Sequence, residues 1–411
     1  MTKKNITEMG SKLNLYVDGT PLTASHFSGV GHYALGVIRG LDSILSNNKH
    51  VQAYIVIPSD KKELLDSYRL KNFTVKYLPM NSEEFQSHWI SGSLPMMDSF
   101  IGKGVYFFPN FVTWPLKYSA SITTIHDLSF EEVPQFVDDG NAKFLSKAVS
   151  KSVSATDCIA TVTETMKDVI ANFYSVTADK IIVTNNAVDM KHFSKRPNTD
   201  VDIVKRKYGI SGDYILCIGN IEPRKNHKNL LRAFQALPDN ISRVYTLVLV
   251  GAGGWKNEPI HRLAAKLEKE NKHVKIVEGK VTDEDMPFIY SGATLSINPS
   301  FYEGFGMPTV EAMACRVPVI VSDIPVMKEV AGPDSIYVDP HSIESIKEGM
   351  VQALALPGVR KEAMIERNYD KAKAYTWKHA ANVLLDRALS LNIPQPKRTV
   401  ARRIAQFIKG M

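Results

Sequence analysis

Residues 214–237 read YILCIGNIEPRKNHKNLLRAFQAL. The opening apolar run has the length of a strand covered on both faces. Beyond a polar turn, Leu230, Leu231, Phe234 and Leu237 recur at helical spacing and form one apolar face. A strand followed so soon by an amphipathic helix is half of a βα unit, and such units in series build a parallel sheet covered by helices.

The same alternation continues on both sides. Downstream lie YTLVLVG (245–251), VKIVEG (274–279), ATLSINP (293–299), VPVIVSD (317–323) and SIYVDP (335–340). Upstream lie LNLYVDG (13–19), VQAYIVIP (51–58), GVYFFPN (104–110), SITTIHD (121–127), DCIATVT (157–163) and KIIVTNN (180–186). The helix after the first of these carries Val37, Ile38, Leu41, Ile44 and Leu45 on its apolar positions. A polar segment, 191–213, interrupts the pattern and reads as a linker. At 411 residues the chain exceeds one ordinary core, so two Rossmann-like α/β domains are expected, with a cleft along the carboxyl ends of their strands.

Composition narrows the function. The start, MTKKNITEMGSK, has no apolar signal-peptide core, and no run approaches the ~20 apolar residues that span a bilayer, so a cytoplasmic or membrane-surface protein is expected. Cys158, Cys217 and Cys315 are far apart and read as reduced core residues. The net charge of +7 comes with no nucleic-acid signature, which leaves anionic lipid or phosphorylated substrates as partners. The tail PKRTVARRIAQFIKGM (396–411) can form a helix with Val400, Ile404, Phe407, Ile408 and Met411 on one face beside basic residues. Such a face suits either an anionic membrane surface or the protein's own N-terminal domain. The aromatic and Met-rich residues 85–100 are a candidate apolar entrance for a lipid-linked acceptor, with an ordinary core as the alternative.

The chemistry should lie in loops that follow strands. Arg224 and Lys225 precede a helix whose expected N-cap is Asn226, at the end where the helix dipole disfavours cations. A phosphate between these side chains and the helix amides explains that placement. In FYEGFGMPTVE (301–311), Pro308 suits a first helical turn, which puts Glu303 in the preceding loop and Glu311 inside the helix. Gly304, Phe305 and Gly306 offer amides at the helix start, a second anion cradle. Two anion sites in one domain point to a diphosphate. Gly29 and Gly31 open a helix after the first strand, either to admit a phosphate or to make a tight turn; Ala34 at the third position of G-x-G-x-x-G, and the intervening turn, disfavour a dehydrogenase. His126 ends a strand and can meet a sugar hydroxyl or a neighbouring carbonyl, or can pair with Asp127 to fix its loop.

Taken in order, FSGVGHY, TTIHDLSF, VTNNAVD, GNIEPRKN, LVLVGAGG, GKVTDEDM and EGFGMPTVEAMA resemble a retaining glycosyltransferase of the GT-B fold, glycosyltransferase family 4. The resemblance implies an N-terminal acceptor-binding domain, 1–195, a C-terminal nucleotide-sugar-binding domain, 196–375, and a helix within 376–411 that crosses back to the first domain, around Trp377 to Leu389. It implies that Arg224 and Lys225 bind the diphosphate, that Glu303 contacts the donor hexose and that Glu311 bonds the ribose. Gly304, Phe305 and Gly306 would supply amides and His126 would approach from the opposite domain. Gly29 and Gly31 would close the phosphate side, and Lys280 and Val281 would face the base. No D-x-D metal pair is evident, so transfer without a metal cofactor is expected.

The resemblance to bacterial O-antigen and polysaccharide mannosyltransferases implies GDP-mannose as donor, and the basic tail adds a lipid-linked glycan as the expected acceptor. It places the enzyme at the inner face of the cytoplasmic membrane, with polysaccharide assembly proteins as further partners. The alternatives are a soluble sugar-phosphate or glucan synthase using UDP- or ADP-sugar, and a non-catalytic sugar-nucleotide-binding scaffold. Two departures stand out: Arg316 where the family often has Gly, which puts a turn in question, and Ala187 in place of the Gly of an N-G-V-D loop.

Overall fold

The computed structural model describes residues 12–24, 27, 29–61, 68–279 and 281–394. Strands β1 (Leu13–Asp18), β2 (Val51–Ile57), β3 (Phe73–Tyr77), β4 (Val105–Phe108), β5 (Ala120–Thr124), β6 (Cys158–Thr161) and β7 (Ile181–Val183) form one sheet in the order β3-β2-β1-β4-β5-β6-β7. Strands β8 (Asp213–Ile218), β9 (Tyr245–Gly251), β10 (Val274–Glu278), β11 (Leu295–Asn298), β12 (Val319–Ser322) and β13 (Ile336–Val338) form the second, in the order β10-β9-β8-β11-β12-β13. Every pairing is parallel, for example Leu15↔Val105 and Leu295↔Ile215. Strand order reverses beside β1 and β4 in the first sheet and beside β8 and β11 in the second. Open α/β sheets bind ligands at such points, outside the carboxyl ends of the strands.

Central strands are buried throughout, as in β4, β5 and β11, because helices cover both faces. The helix Gly29–Leu45 buries Val37, Ile38, Leu41 and Leu45. The last described helix, Trp377–Ser390, crosses back and packs along it. Glycines make that approach possible: a Cβ at Gly36 would lie 2.2 Å from the Trp377 ring, and one at Gly40 would lie 2.4 Å from the Trp377 carbonyl oxygen. The three cysteines are buried and unpaired.

The fold differs from the sequence reading in two places. Strand β3 was not expected; it is a five-residue edge strand without a fully buried position, so it carries no strong apolar signal. The segment 191–213 is not simply a linker, because it holds the helix Asn198–Lys207, which buries Val201 and Val204 and packs on the helix Met286–Ser291. Its charged residues hid that narrow apolar stripe; Lys207 and the Tyr208 hydroxyl both bond Asp285, at 2.5 and 2.7 Å. The basic tail helix expected at 400–411 lies outside the described residues.

Candidate active site

The loops after β8 and β11 meet where the second sheet changes direction. Arg224 and Lys225 lie on a 3-10 turn, Pro223–Lys225, ahead of the helix His227–Gln235. The Phe301 N–H donates to the Arg224 carbonyl at 2.9 Å and fastens the two loops. Gly219, at φ +151°, leaves room for the Lys225 stem, whose Cδ would lie 3.2 Å from a Cβ there. Asn226 sits at the N-cap position with φ +62°, but its side chain caps nothing. Instead its Nδ2 donates to the carbonyls of Pro299 and Pro340, at 2.9 and 2.7 Å, tying the cation loop to the ends of β11 and β13.

Both cations are largely buried and converge on Glu303. Lys225 Nζ lies 2.6 Å from Glu303 Oε1, and Arg224 Nη1 lies 3.2 Å from Oε2. The Ser300 hydroxyl donates to Oε1 at 2.7 Å. Burial raises the Glu303 carboxyl, but Lys225, Arg224 and Ser300 outweigh it and hold the group at about 2. Sequence reasoning missed Glu222, a carboxylate only 1% exposed. Its Oε1 accepts from Arg224 Nη2 at 2.9 Å and from Nε at 3.1 Å. With Nη1 also donating to the Tyr302 carbonyl at 2.9 Å, the guanidinium is fixed in plane, its fork lying on Glu222. Lys225 uses one of its three N–H bonds on Glu303 among the described residues, so it retains donors for an incoming anion.

Helix Met307–Ala314 begins as Pro308 indicates, with Gly306 at its N-cap in the left-handed region at φ +89°. The Phe305 ring turns inward and meets Tyr375 edge-on at 5.2 Å, and Gly304, Phe305 and Gly306 are all buried. Glu311 is half-buried and accepts from the Tyr290 hydroxyl at 2.7 Å. Burial pushes its carboxyl up to about 7, the Tyr290 bond opposes that, and Asp283 adds to it. Nothing in the local sequence links Tyr290 to Glu311.

The first domain closes against this surface. A Cβ on Gly304 would lie 2.1 Å from the His126 carbonyl oxygen, so only glycine fits there. Thr163 Oγ1 donates to the Gly304 carbonyl at 3.2 Å, and the Leu128 N–H donates to the Tyr302 hydroxyl at 3.3 Å. Glu329 accepts the N–H groups of Glu164 and Thr165, both at 2.8 Å. His126 is buried and its Nε2 meets the Pro109 carbonyl at 2.8 Å, a neighbouring carbonyl as the sequence allowed. The alternative pairing with Asp127 is not formed, because Asp127 Oδ1 accepts from the Ser129 N–H at 2.9 Å. Burial lowers the His126 imidazole, against the Pro109 bond and Asp127, so the neutral ring is favoured.

Gly29 and Gly31 occupy the first turn of their helix, with open space at Gly29 and Phe27 close against Gly31. His32, in that turn, is within electrostatic reach of His192 and of Asp283 on the second domain. Val281 is partly buried against the main core, and Lys280 lies outside the described residues. Arg316 takes the left-handed conformation, φ +59°, which glycine adopts without strain; its guanidinium stacks 4.2 Å over Tyr369 and pairs with Glu366. Ala187 is buried and needs no such conformation.

Residues 200–371 match the family described as Glycosyl transferases group 1. The O-antigen chain mannosyltransferase B of Escherichia coli is 31% identical over 275 residues, 67% of this chain and 71% of that protein. The chain belongs to the group 1 glycosyl transferases. The O-antigen chain mannosyltransferase RfbU of Salmonella typhimurium is 30% identical over 246 residues, 60% of this glycosyltransferase and 64% of RfbU. Of the serotype-specific mannosyltransferase WbdA of E. coli, the matching region spans 28%. Among solved structures, WaaG, a glycosyltransferase involved in lipopolysaccharide biosynthesis, superposes with a TM-score of 0.64 at 16% identity, over 92% of this glycosyltransferase and 100% of WaaG. The fold is GT-B, two facing Rossmann-like domains.

Proposed function

We propose that this glycosyltransferase moves a hexose, mannose from GDP-mannose, onto a lipid-linked glycan with retention of anomeric configuration, in surface polysaccharide synthesis of the O-antigen type. The observation that carries the reading is the convergence of Lys225, Arg224 and Glu303 beside the helix start at Gly304–Gly306. Breaking the sugar–phosphate bond builds positive charge at the anomeric carbon and negative charge on the diphosphate. Cations and amides already oriented toward that oxygen lower the barrier because no reorganisation is needed as the charge appears.

In this account Lys225 takes the diphosphate with its remaining N–H bonds, and Arg224, braced by Glu222, adds a fixed positive field. Glu303 contacts the hexose and Glu311 the ribose. Gly304, Phe305 and Gly306 supply amides, Gly29 and Gly31 close the phosphate side, and the segment at Lys280 and Val281 faces the base. His126 approaches the sugar from the first domain, its Nε2–H engaged by Pro109, which leaves Nδ1 as the acceptor. The leaving phosphate oxygen takes the acceptor's proton.

The mannose and the O-antigen setting are supported by the E. coli and Salmonella relatives, both O-antigen chain mannosyltransferases. A lipid-linked acceptor and a place at the inner face of the cytoplasmic membrane are supported by the basic tail and by exposed Ile90, Met96 and Phe100. No helix of the described residues is long and apolar enough to cross a membrane. Lys225→Ala or Arg224→Ala should lower turnover by about 10²–10³, as loss of an oriented electrostatic donor does, measured at a temperature where circular dichroism shows the variant still folded, because the partner carboxylates also lose stabilisation. Near-normal turnover in both variants removes the diphosphate assignment.

A further inference from the structure

Away from the approach of Gly304 to His126, the two domains also meet through an aromatic contact. On the first domain a short 3-10 turn, Pro134–Phe136, follows β5 and the helix Ser129–Glu132. Val137 is buried and anchors the turn, while the Phe136 ring reaches the second domain and stacks on Phe301, with 4.7 Å between ring centres and 12° between planes. The Phe136 carbonyl accepts the Trp255 indole N–H at 2.9 Å. Lys256 and Asp139 pair alongside at 3.1 Å, but both are exposed and such a pair adds little.

Both partners of Phe136 are fastened to the loop that carries the cations. The Phe301 N–H donates to the Arg224 carbonyl, and the next carbonyl, that of Tyr302, accepts from Arg224 Nη1. Trp255 belongs to the loop after β9, where the Ala252 carbonyl accepts the Ile221 N–H at 2.9 Å. A Cβ on Gly254 would lie 2.8 Å from the Ile221 carbonyl oxygen, so this loop presses on the residue that leads into Glu222 and Arg224. The loops after β9 and β11 therefore bind the cation loop at two points, and Phe136 touches both of them. A rotation of the Phe301 backbone would carry the Tyr302 carbonyl off the guanidinium and shift Glu303, two residues on, relative to Lys225. Core packing does not account for the arrangement, because Phe136, Phe301 and Trp255 all stay partly exposed.

We propose that Phe136 is a positioning residue for glycosyl transfer: from the first domain it pins the loops after β9 and β11, so that Arg224, Lys225 and Glu303 take their working geometry when the domains are together. This rests on the glycosyl-transfer reading above and adds a residue outside the substrate contacts assigned there. The effect is on turnover, since a misplacement of about 1 Å at reacting groups can cost about 10² in rate.

The test uses the full chain and reads release of nucleoside diphosphate from GDP-mannose, UDP-glucose and ADP-glucose, with octyl α-mannoside as acceptor probe. Phe136→Leu removes the stacking and keeps much of the volume, whereas Phe136→Tyr keeps both. Calorimetric binding of the product nucleoside diphosphate reports the fold and the donor site independently of turnover. The expected result is a kcat lowered about tenfold in Phe136→Leu, the upper range of one lost aromatic pair, with donor KM and nucleotide Kd within about twofold of wild type. Phe136→Tyr should return kcat to within about twofold of wild type. Because the two rings act as one unit, adding Phe301→Leu to Phe136→Leu should slow turnover by no more than about twofold beyond the slower single variant. Four results overturn the positioning role: wild-type kcat in Phe136→Leu, a nucleotide Kd that rises in step with the loss of kcat, no recovery in Phe136→Tyr, or losses that multiply in the double variant. Absence of release from every donor by the wild type instead overturns the glycosyl-transfer reading, and the positioning role falls with it.

Discussion

Replacing Glu303 by Gln removes the charge on which both cations converge while keeping the side-chain shape. In the fold the Glu303 carboxyl is held at about 2, against an ordinary value of 4.5. That difference of 4.5 − 2, about 2.5 pH units, corresponds to about 3 kcal/mol of stability. Because the folded value is depressed, the stabilisation is complete above about 4.5 and is lost as the pH falls toward 2. One unit below the ordinary value, near pH 3.5, about 1 kcal/mol of it should be gone. Urea unfolding of wild type and Glu303→Gln at a series of pH values between 6 and 3.5 measures this directly, at about constant ionic strength to keep screening equal. The wild-type advantage should shrink by about 1 kcal/mol over that range. Parallel curves would refute the reasoning, because the ion pairs would then contribute no more than exposed ones.

Two further substitutions probe the loops around this pair. Gly304→Ala places a methyl 2.1 Å from the His126 carbonyl and must push the domains apart; turnover should fall about 100-fold with the circular dichroism spectrum unchanged, and normal turnover would contradict the tight approach. Arg316→Gly relieves a left-handed residue, worth about 1–2 kcal/mol, but removes the stacking on Tyr369 and the Glu366 pair, so unfolding free energy should change by less than about 1 kcal/mol.

Much of this architecture is legible in the sequence because its determinants are local. All six strands of the second sheet are short apolar runs, and Pro308 marks its helix start within a residue. Arg224, Lys225 and Glu303 stand out because cations precede a helix and a glutamate precedes a glycine turn. What stayed hidden depends on contacts between distant residues or on burial. Glu222 lies in the opening stretch, yet only the folded loop shows that it is sealed and holds the Arg224 fork. Tyr290 reaches Glu311 across 21 positions, and Pro109 reaches His126 across 17. Asn226 looks like a cap by type, but its left-handed backbone sends the amide to two proline carbonyls.

The central claim is hexose transfer from GDP-mannose through the Lys225–Arg224–Glu303 cluster. Its most direct test incubates the protein with GDP-mannose, UDP-glucose or ADP-glucose and a lipid-linked acceptor, and reads the anomeric signals of the product by NMR. The account predicts consumption of GDP-mannose and a new α-mannosidic linkage, both slowed by about 10²–10³ in Lys225→Ala. Transfer from UDP-glucose alone, or a β-linked product, would contradict it.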